Sequence, residues 1–279
     1  MIHAVNATAQ RDIYKNKVDG FASAQLSTFK NKKEYIMDYV ISDFHGFECR
    51  ELTLDGRTVK LVIPKTRDPL GRWLIKTEYF GAFPSLELEM LERGFHVAYI
   101  KNVTRWMVPS DIEAKETLAA YLVKEYGLNE RCVPVGMSCG GLQAVYFAAA
   151  HPERIAALYL DAPVMNLLSC PMGFGKKEGD TMIEEMLGAT GLTLTKLINY
   201  RNHPIDKKEA LLAAGIPIFM VYGDSDVVVP YDENGEALAD FYREHGGIIE
   251  TVGKAGCGHH PHGLEDNTPI IDFILKYYV

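Results

Sequence analysis

Gly136-Met137-Ser138-Cys139-Gly140 is a G-x-S-x-G pentapeptide whose flanks decide what its serine can do. Before it runs Arg131-Cys132-Val133-Pro134-Val135, a short apolar stretch of strand character. After it, Gly141 to Ala150 reads as a helix that His151-Pro152 stops. Strand, sharp turn and helix in that order make a nucleophile elbow, with glycines on both sides of the serine so that strand and helix can approach closely. The hydroxyl then projects above the sheet edge, and the amide of Cys139 points to where an oxyanion would form. The bland alternative is a glycine-rich turn with an idle serine.

A serine hydroxyl is a weak nucleophile at neutral pH and needs a base, itself oriented by a carboxylate. Ile216 to Tyr222 reads as a buried strand and runs into Gly223-Asp224-Ser225-Asp226-Val227-Val228-Val229-Pro230. Ile248 to Val252 reads as another and runs into Gly253-Lys254-Ala255-Gly256-Cys257-Gly258-His259-His260-Pro261-His262. Acids and bases just past strand ends fall on the rim that carries Ser138. Asp224 and Asp226 compete for the acid, and His259, His260 and His262 for the base. The three histidines also have the character of metal ligands. However, His-His-x-His lacks the i, i+4 spacing of a helical zinc site and no acidic partner is placed by sequence, so neither metal nor cofactor is expected.

The elements that must hold these residues alternate along the chain. Phe47 to Leu54 and Thr58 to Ile63 flank Asp55-Gly56, a hairpin turn pair. Trp73 to Phe80 reads as a third strand and Phe95 to Lys101 as a fourth, separated by a helix from Pro84-Ser85 to Gly94. Ser110-Asp111-Ile112-Glu113 reads as a capping box opening a helix that ends at Gly127. The elbow, a strand from Ile155 to Asp161, the acid strand, a helix about Glu233 to His245 and the histidine strand follow. A last helix starts at Thr268-Pro269. A hairpin followed by repeated βα units predicts an α/β protein, with a mostly parallel sheet flanked by helices.

Two segments depart from the alternation. Residues 1–44 read as an N-terminal helical extension. There Phe29, Ile36, Met37 and Val40 form an apolar stripe that would dock on the protein's own body or make a homo-oligomer. Residues 163–215 are too long for a simple crossover and read as a helical lid insertion within a domain of residues 45–279. Met165, Met172, Met182 and Met186 in that insertion suit either an adaptable apolar wall over the site or the insertion's own small core. Trp106-Met107 lies on the same rim and would line the pocket or anchor its loop.

At the elbow, the acid loop and the histidine loop together, the chain resembles the α/β-hydrolase superfamily, whose chain order is serine, then acid, then histidine. Within it the chain is similar to esterases of acylated carbohydrates and small esters, with some similarity to prolyl-oligopeptidase-type catalytic domains. The resemblance covers about residues 45 to 279. It implies Ser138 as nucleophile, Asp226 as acid and His259, after the small Gly258, as base. Cys139 would supply one oxyanion amide. The second would come from Glu78-Tyr79-Phe80-Gly81-Ala82, from Tyr79 or Phe80, in a loop without the His-Gly-Gly-Gly of many lipases.

Composition narrows the partners. Twenty-nine basic against 37 acidic residues leave a net charge of −8, which argues against nucleic acid or an anionic membrane surface. There is no apolar run long enough to span a bilayer and no signal-peptide pattern at Met1 to Thr8. Five scattered cysteines without a C-x-x-C pair suit free thiols in a reducing cytoplasm. The expectation is a cytoplasmic serine esterase acting on a small-molecule ester, with short acyl groups favoured. A prolyl-oligopeptidase-type peptidase would need a site for a peptide's charged terminus, often with a large extra domain, for which residues 1–45 are too short. A non-catalytic binding protein on the same fold would have lost a triad member, and all three are present.

Overall fold

A computed structural model describes residues 39–179 and 181–279. Strands β1 (Val40–Phe44), β2 (Phe47–Leu54) and β3 (Arg57–Ile63) form an antiparallel meander. Asp55 and Gly56 join the last two with φ of 47° and 76°, the doubly left-handed turn that matches strand twist. From there the chain alternates: β4 (Trp73–Lys76), α1 (Ser85–Glu92), β5 (His96–Ile100), α2 (Pro109–Tyr126), β6 (Val133–Met137), α3 (Cys139–Ala150) and β7 (Leu158–Asp161). Three short helices, α4 (Ile183–Thr190), α5 (Leu194–Ile198) and α6 (Lys208–Ala213), precede β8 (Ile218–Gly223). Then α7 (Gly235–Glu244), β9 (Ile249–Lys254) and α8 (Thr268–Tyr277) complete the described chain.

The nine strands of the described residues lie in one sheet in the order β1-β2-β3-β5-β4-β6-β7-β8-β9, parallel from β5 onwards. Strands β4, β6 and β7 are buried at every position, as a sheet covered on both faces requires. Period-two alternation assigns the layers. Val133, Val135 and Met137 of β6 join a core with Leu86, Met90 and Leu91 of α1 and Ile270, Phe273 and Ile274 of α8. Gly136 faces the other way, onto α3. A Cβ there would lie 2.7 Å from the Gly140 carbonyl oxygen and 2.9 Å from the Ala144 Cβ. The expected α/β class, mostly parallel and helix-flanked, is the observed one.

Several boundaries differ from the sequence reading. β1 occupies residues assigned to the N-terminal helical extension: Val40 pairs with Glu51 and Phe44 with Phe47, so Val40 follows the strand period. Phe29, Ile36 and Met37, the rest of that stripe, lie outside the described residues, and so does any oligomer contact through it. β4 stops at Lys76 instead of Phe80, because the next residues turn out of the sheet. Thr77 Oγ1 donates to the Gly140 carbonyl at 2.7 Å, and Asn102 Nδ2 donates to the Thr77 carbonyl at 2.7 Å. α2 begins at Pro109, with Asp111 as the residue that reaches back: its Oδ2 accepts the Val108 N–H at 3.3 Å. Glu113, the expected capping partner, is exposed.

Candidate active site

The elbow is built by close approach. A Cβ on Gly141 would lie 2.4 Å from the Pro163 Cβ, so this glycine, just past the pentapeptide, is as necessary to the turn as Gly136. Between them Ser138 adopts φ 53° and ψ −121°, a conformation that costs about 1–3 kcal/mol and persists only where the surroundings impose it. They do so through its backbone. Its N–H donates to the Asp161 carbonyl at 2.9 Å, and its own carbonyl accepts from Gly141 at 2.9 Å and Val164 at 3.0 Å.

His259 and Asp226 meet that serine from neighbouring strand ends. His259 Nε2 lies 3.1 Å from Ser138 Oγ, and His259 Nδ1 lies 2.7 Å from Asp226 Oδ2. A carboxylate only accepts, so Nδ1 carries the proton and the Nε2 lone pair faces the serine hydroxyl. Asp226 is buried, which by itself would raise its pKa. The His259 hydrogen bond and the N–H groups of Val229 and Val228, 2.9 and 2.8 Å from Oδ1, outweigh burial and hold the carboxyl below its usual range. Asp224, the competing acid, faces outward and instead accepts the Gly256 N–H at 2.7 Å.

The other two histidines of the loop have separate places. His262 is buried and pairs through Nδ1 with Asp161 Oδ1 at 2.8 Å. Asp161 Oδ2 accepts from the Gly263 N–H at 2.6 Å and the Tyr159 hydroxyl at 3.0 Å. Here too burial is outweighed, by the His262 contact and the Gly263 amide, and the Asp161 pKa is lowered. His260 is exposed and stacks on Phe83, with ring centroids 5.4 Å apart and planes 13° apart.

On the far side of Ser138 lie the two expected oxyanion donors. Cys139 is the first residue of α3, so its amide has no intrahelical acceptor. Its thiol is buried, and burial pushes its pKa up to about 11. Tyr79 sits at φ 56° with its N–H 3.2 Å from Glu78 Oε1. Its phenol reaches the Cys139 thiol and the Arg105 guanidinium. Phe80 points its ring away, onto Phe44 and Tyr99. The loop is tied down from beneath: Lys76 Nζ donates to the Ala82 carbonyl at 3.3 Å and pairs with Glu87 at 2.5 Å. Asn102 Nδ2 bridges to Glu78 Oε2 at 2.8 Å, while the buried Lys115 Nζ donates to Asn102 Oδ1 at 2.5 Å. Burial lowers the Lys115 pKa to about 7.

A cavity of about 360 Å³ opens on Ser138 and His259, walled by Tyr79, Phe83, Arg105, Met182 and Val228. Met182 from the 163–215 segment lines it, whereas Met165 and Met186 are buried in the interior. Trp106 is buried and underlies Arg105, whose guanidinium sits 5.2 Å from its ring. Arg105 forks onto Glu185 of α4, with Nε 2.9 Å from Oε1, and so links the cavity wall to residues 163–215. Arg105, Phe83 and the His262–Asp161 pair were not singled out from sequence. The available signals were an arginine next to Trp106 and an acid at the end of a strand beside the elbow.

No protein-family model matches the chain, and no curated protein matches it in sequence. Solved structures do. A puromycin-hydrolysing peptidase of Mycobacterium tuberculosis superposes with a TM-score of 0.62 at 14% identity, over 89% of this chain and 40% of that one. An S-formylglutathione hydrolase of Agrobacterium tumefaciens matches with a TM-score of 0.56 at 14% identity, over 80% and 93%. Acetyl xylan esterase 1 of a Thermoanaerobacterium species gives 0.56 at 18% identity, over 88% of each chain. The chain spans about two fifths of the length of the peptidases it matches. These likenesses show the α/β-hydrolase fold. No helix among the described residues is long and apolar enough to cross a membrane.

Proposed function

We propose that the chain is a serine hydrolase cleaving short-acyl carboxylic esters through an acyl-enzyme. The observation that carries this reading is the unbroken contact from Asp226 through His259 to Ser138 at the mouth of a small, mostly apolar cavity. His259 Nε2 takes the Ser138 proton as Oγ bonds to the ester carbonyl carbon. The carbonyl oxygen becomes an oxyanion facing the Cys139 amide, and the Tyr79 N–H joins as second donor by turning from Glu78 Oε1, on which it rests at 3.2 Å. When the tetrahedral species collapses, the alkoxy bond breaks and His259 passes its proton to the departing alcohol. Water, deprotonated by His259, then attacks the acyl carbon, and Ser138 leaves with the proton returned. Asp226 keeps the imidazole in the required tautomer and stabilises its cation.

Cavity size supports a small substrate: about 360 Å³ is near the lower end of ligand pockets, and Met182 and Phe83 close its sides. Esterases matched over most of both chains fit the same reading. The test is kcat/KM for nitrophenyl esters of graded acyl length beside aminoacyl and prolyl anilides. Each methylene that finds apolar wall contributes about 0.8 kcal/mol, so a long groove would show as rates rising with length. The expected profile peaks from acetyl to butyryl and falls beyond hexanoyl. A maximum at octanoyl or longer would overturn the short-acyl assignment. The peptidase reading is favoured by the higher TM-score of the puromycin-hydrolysing enzyme, and faster anilide cleavage would establish it.

A further inference from the structure

Three imidazoles converge on one wall of the cavity. One ring nitrogen from each of His259, His260 and His262 lies within 4.8 Å of one from each of the others. Two of the rings are already prepared as metal ligands are. His259 and His262 each donate an Nδ1–H hydrogen bond to a buried carboxylate, at 2.7 and 2.8 Å, which leaves the Nε2 lone pair to bind a metal. His262 Nε2 has no hydrogen-bond partner among the described residues, and neither does either ring nitrogen of His260. Among the described residues His259 Nε2 hydrogen-bonds only to the Ser138 hydroxyl. Asp226 and Asp161 would also place two negative charges behind the imidazoles, while the nearby Arg105 cation is matched by Glu185.

We propose that His259, His260 and His262 form a binding site for a borderline divalent transition-metal ion, for which Zn²⁺ is the probe, and that the bound ion switches the hydrolase off. The inhibitory half rests on the role assigned to His259 above; the binding half does not. Zinc–nitrogen bonds of about 2.0–2.1 Å place tetrahedral ligand atoms about 3.4 Å apart, so the rings need to close by roughly an ångström. An ion on His259 Nε2 occupies the lone pair that must receive the Ser138 proton, so metal and catalysis exclude each other. Imidazole nitrogen selects zinc, copper and nickel over magnesium and calcium, which take oxygen ligands. The ion is therefore an inhibitor here, and the hydrolytic cycle itself uses no metal.

Equilibrium dialysis of the whole chain against ZnCl₂ in a non-coordinating buffer reads binding directly, and ester hydrolysis at the same zinc concentrations reads inhibition. The expected result is saturable binding of one ion per chain, with inhibition tracking occupancy and EDTA restoring the rate. Magnesium should have no effect. His260→Gln, on an exposed side chain, and His262→Gln should each weaken zinc binding by about tenfold or more. In the unaltered chain, zinc should protect His260 and His262 from carbethoxylation, a readout independent of how any variant folds. Unchanged zinc affinity in both variants, absence of protection, or loss of binding in Cys257→Ser or His151→Ala instead would overturn the site. The last control covers Glu116, His151 and Glu153, a second grouping whose Glu116 is already forked by Arg154. If zinc binds as described but the unaltered chain hydrolyses no ester, the functional reading fails and the metal site stands.

Discussion

His259–Asp226 and His262–Asp161 are nearly the same device built twice within one loop's reach. Both join Nδ1 to a buried carboxylate, at 2.7 and 2.8 Å, and both aspartates are held below the usual carboxylate range by their histidine and backbone amides. The difference lies on the opposite nitrogen. His259 Nε2 faces the hydroxyl of a residue forced to φ 53°, whereas His262 Nε2 has no hydrogen-bond partner among the described residues and its ring meets Phe83 edge-on. A histidine–aspartate pair therefore carries no nucleophilic chemistry by itself; the strained turn opposite one of them separates the two. Asp161 also has a structural duty that Asp226 lacks, since its backbone carbonyl receives the Ser138 N–H.

The largest effects should fall on the first pair. Ser138→Ala should lower kcat by on the order of 10⁴ or more and leave the melting temperature nearly unchanged, because among the described residues its Oγ hydrogen-bonds only to His259. Asp226→Asn should cost a comparable factor, since an amide in that place permits the wrong tautomer. A serine-directed phosphonate should label Ser138 alone. If Asp161→Asn or His262→Ala matched these losses, the two pairs would have to exchange roles.

Asp161→Asn should act mainly on stability. The buried contacts to His262, Gly263 and Tyr159 are made by a carboxylate, and weakening them should cost about 1–3 kcal/mol near neutral pH. The pH dependence has a definite sign. A depressed native pKa stabilises the fold above the unfolded value near ~3.9 and loses that contribution as pH falls through the native value. The gap between wild type and Asp161→Asn in urea midpoint should thus be widest near neutrality and narrow in acid. A gap independent of pH would show that the charged form of Asp161 contributes nothing.

How much of this was legible in the sequence follows the same division. Ser138, Asp226 and His259 each sit just past a strand in a local pattern of glycine, turn and apolar run, so short windows reveal them. The His262–Asp161 pair depends on β7, β8 and β9 lying side by side, with Asp161 opposite Val221 and Val221 opposite Val252, contacts that no window contains. Tyr79 illustrates the converse. Thr77 to Phe80 are residues a strand accepts, yet the loop turns out because Lys76 donates to the Ala82 carbonyl and Asn102, itself held by Lys115, donates to the Thr77 carbonyl and Glu78. β1 was missed because Val40 fits a helical stripe as well as a strand until β2 is there to pair with it.

A smaller effect is expected where the cavity meets α4. Arg105 and Glu185 are both partly exposed, so Glu185→Gln should cost no more than about 1 kcal/mol, or about fivefold in KM, with kcat preserved. Longer acyl esters should gain relative to acetyl if this contact holds Met182 against the cavity. A fall in kcat instead would mean that Arg105 reaches the reacting atoms, through Tyr79, and not only the wall.

The smallest effect should come from the third aspartate that touches the histidine loop. Asp224 is two residues from Asp226, but it holds the loop by its backbone, accepting the Gly256 N–H at 2.7 Å and the Ser225 hydroxyl at 2.9 Å. It is exposed, and among the described residues it hydrogen-bonds to no imidazole. An asparagine keeps the carbonyl oxygen that those donors need, so Asp224→Asn removes charge while preserving the geometry. Water competes for the same donors at an exposed site, and the change should stay within about 1 kcal/mol of stability. The loop's other ties, Ser225 N–H to the Cys257 carbonyl at 3.0 Å and the two buried histidine–aspartate contacts, remain. Hydrolysis rates within about fivefold of wild type are therefore expected, against the several orders of magnitude for Asp226→Asn. Equal losses at the two positions would mean that loop placement, and not the charge behind His259, is what Asp226 supplies.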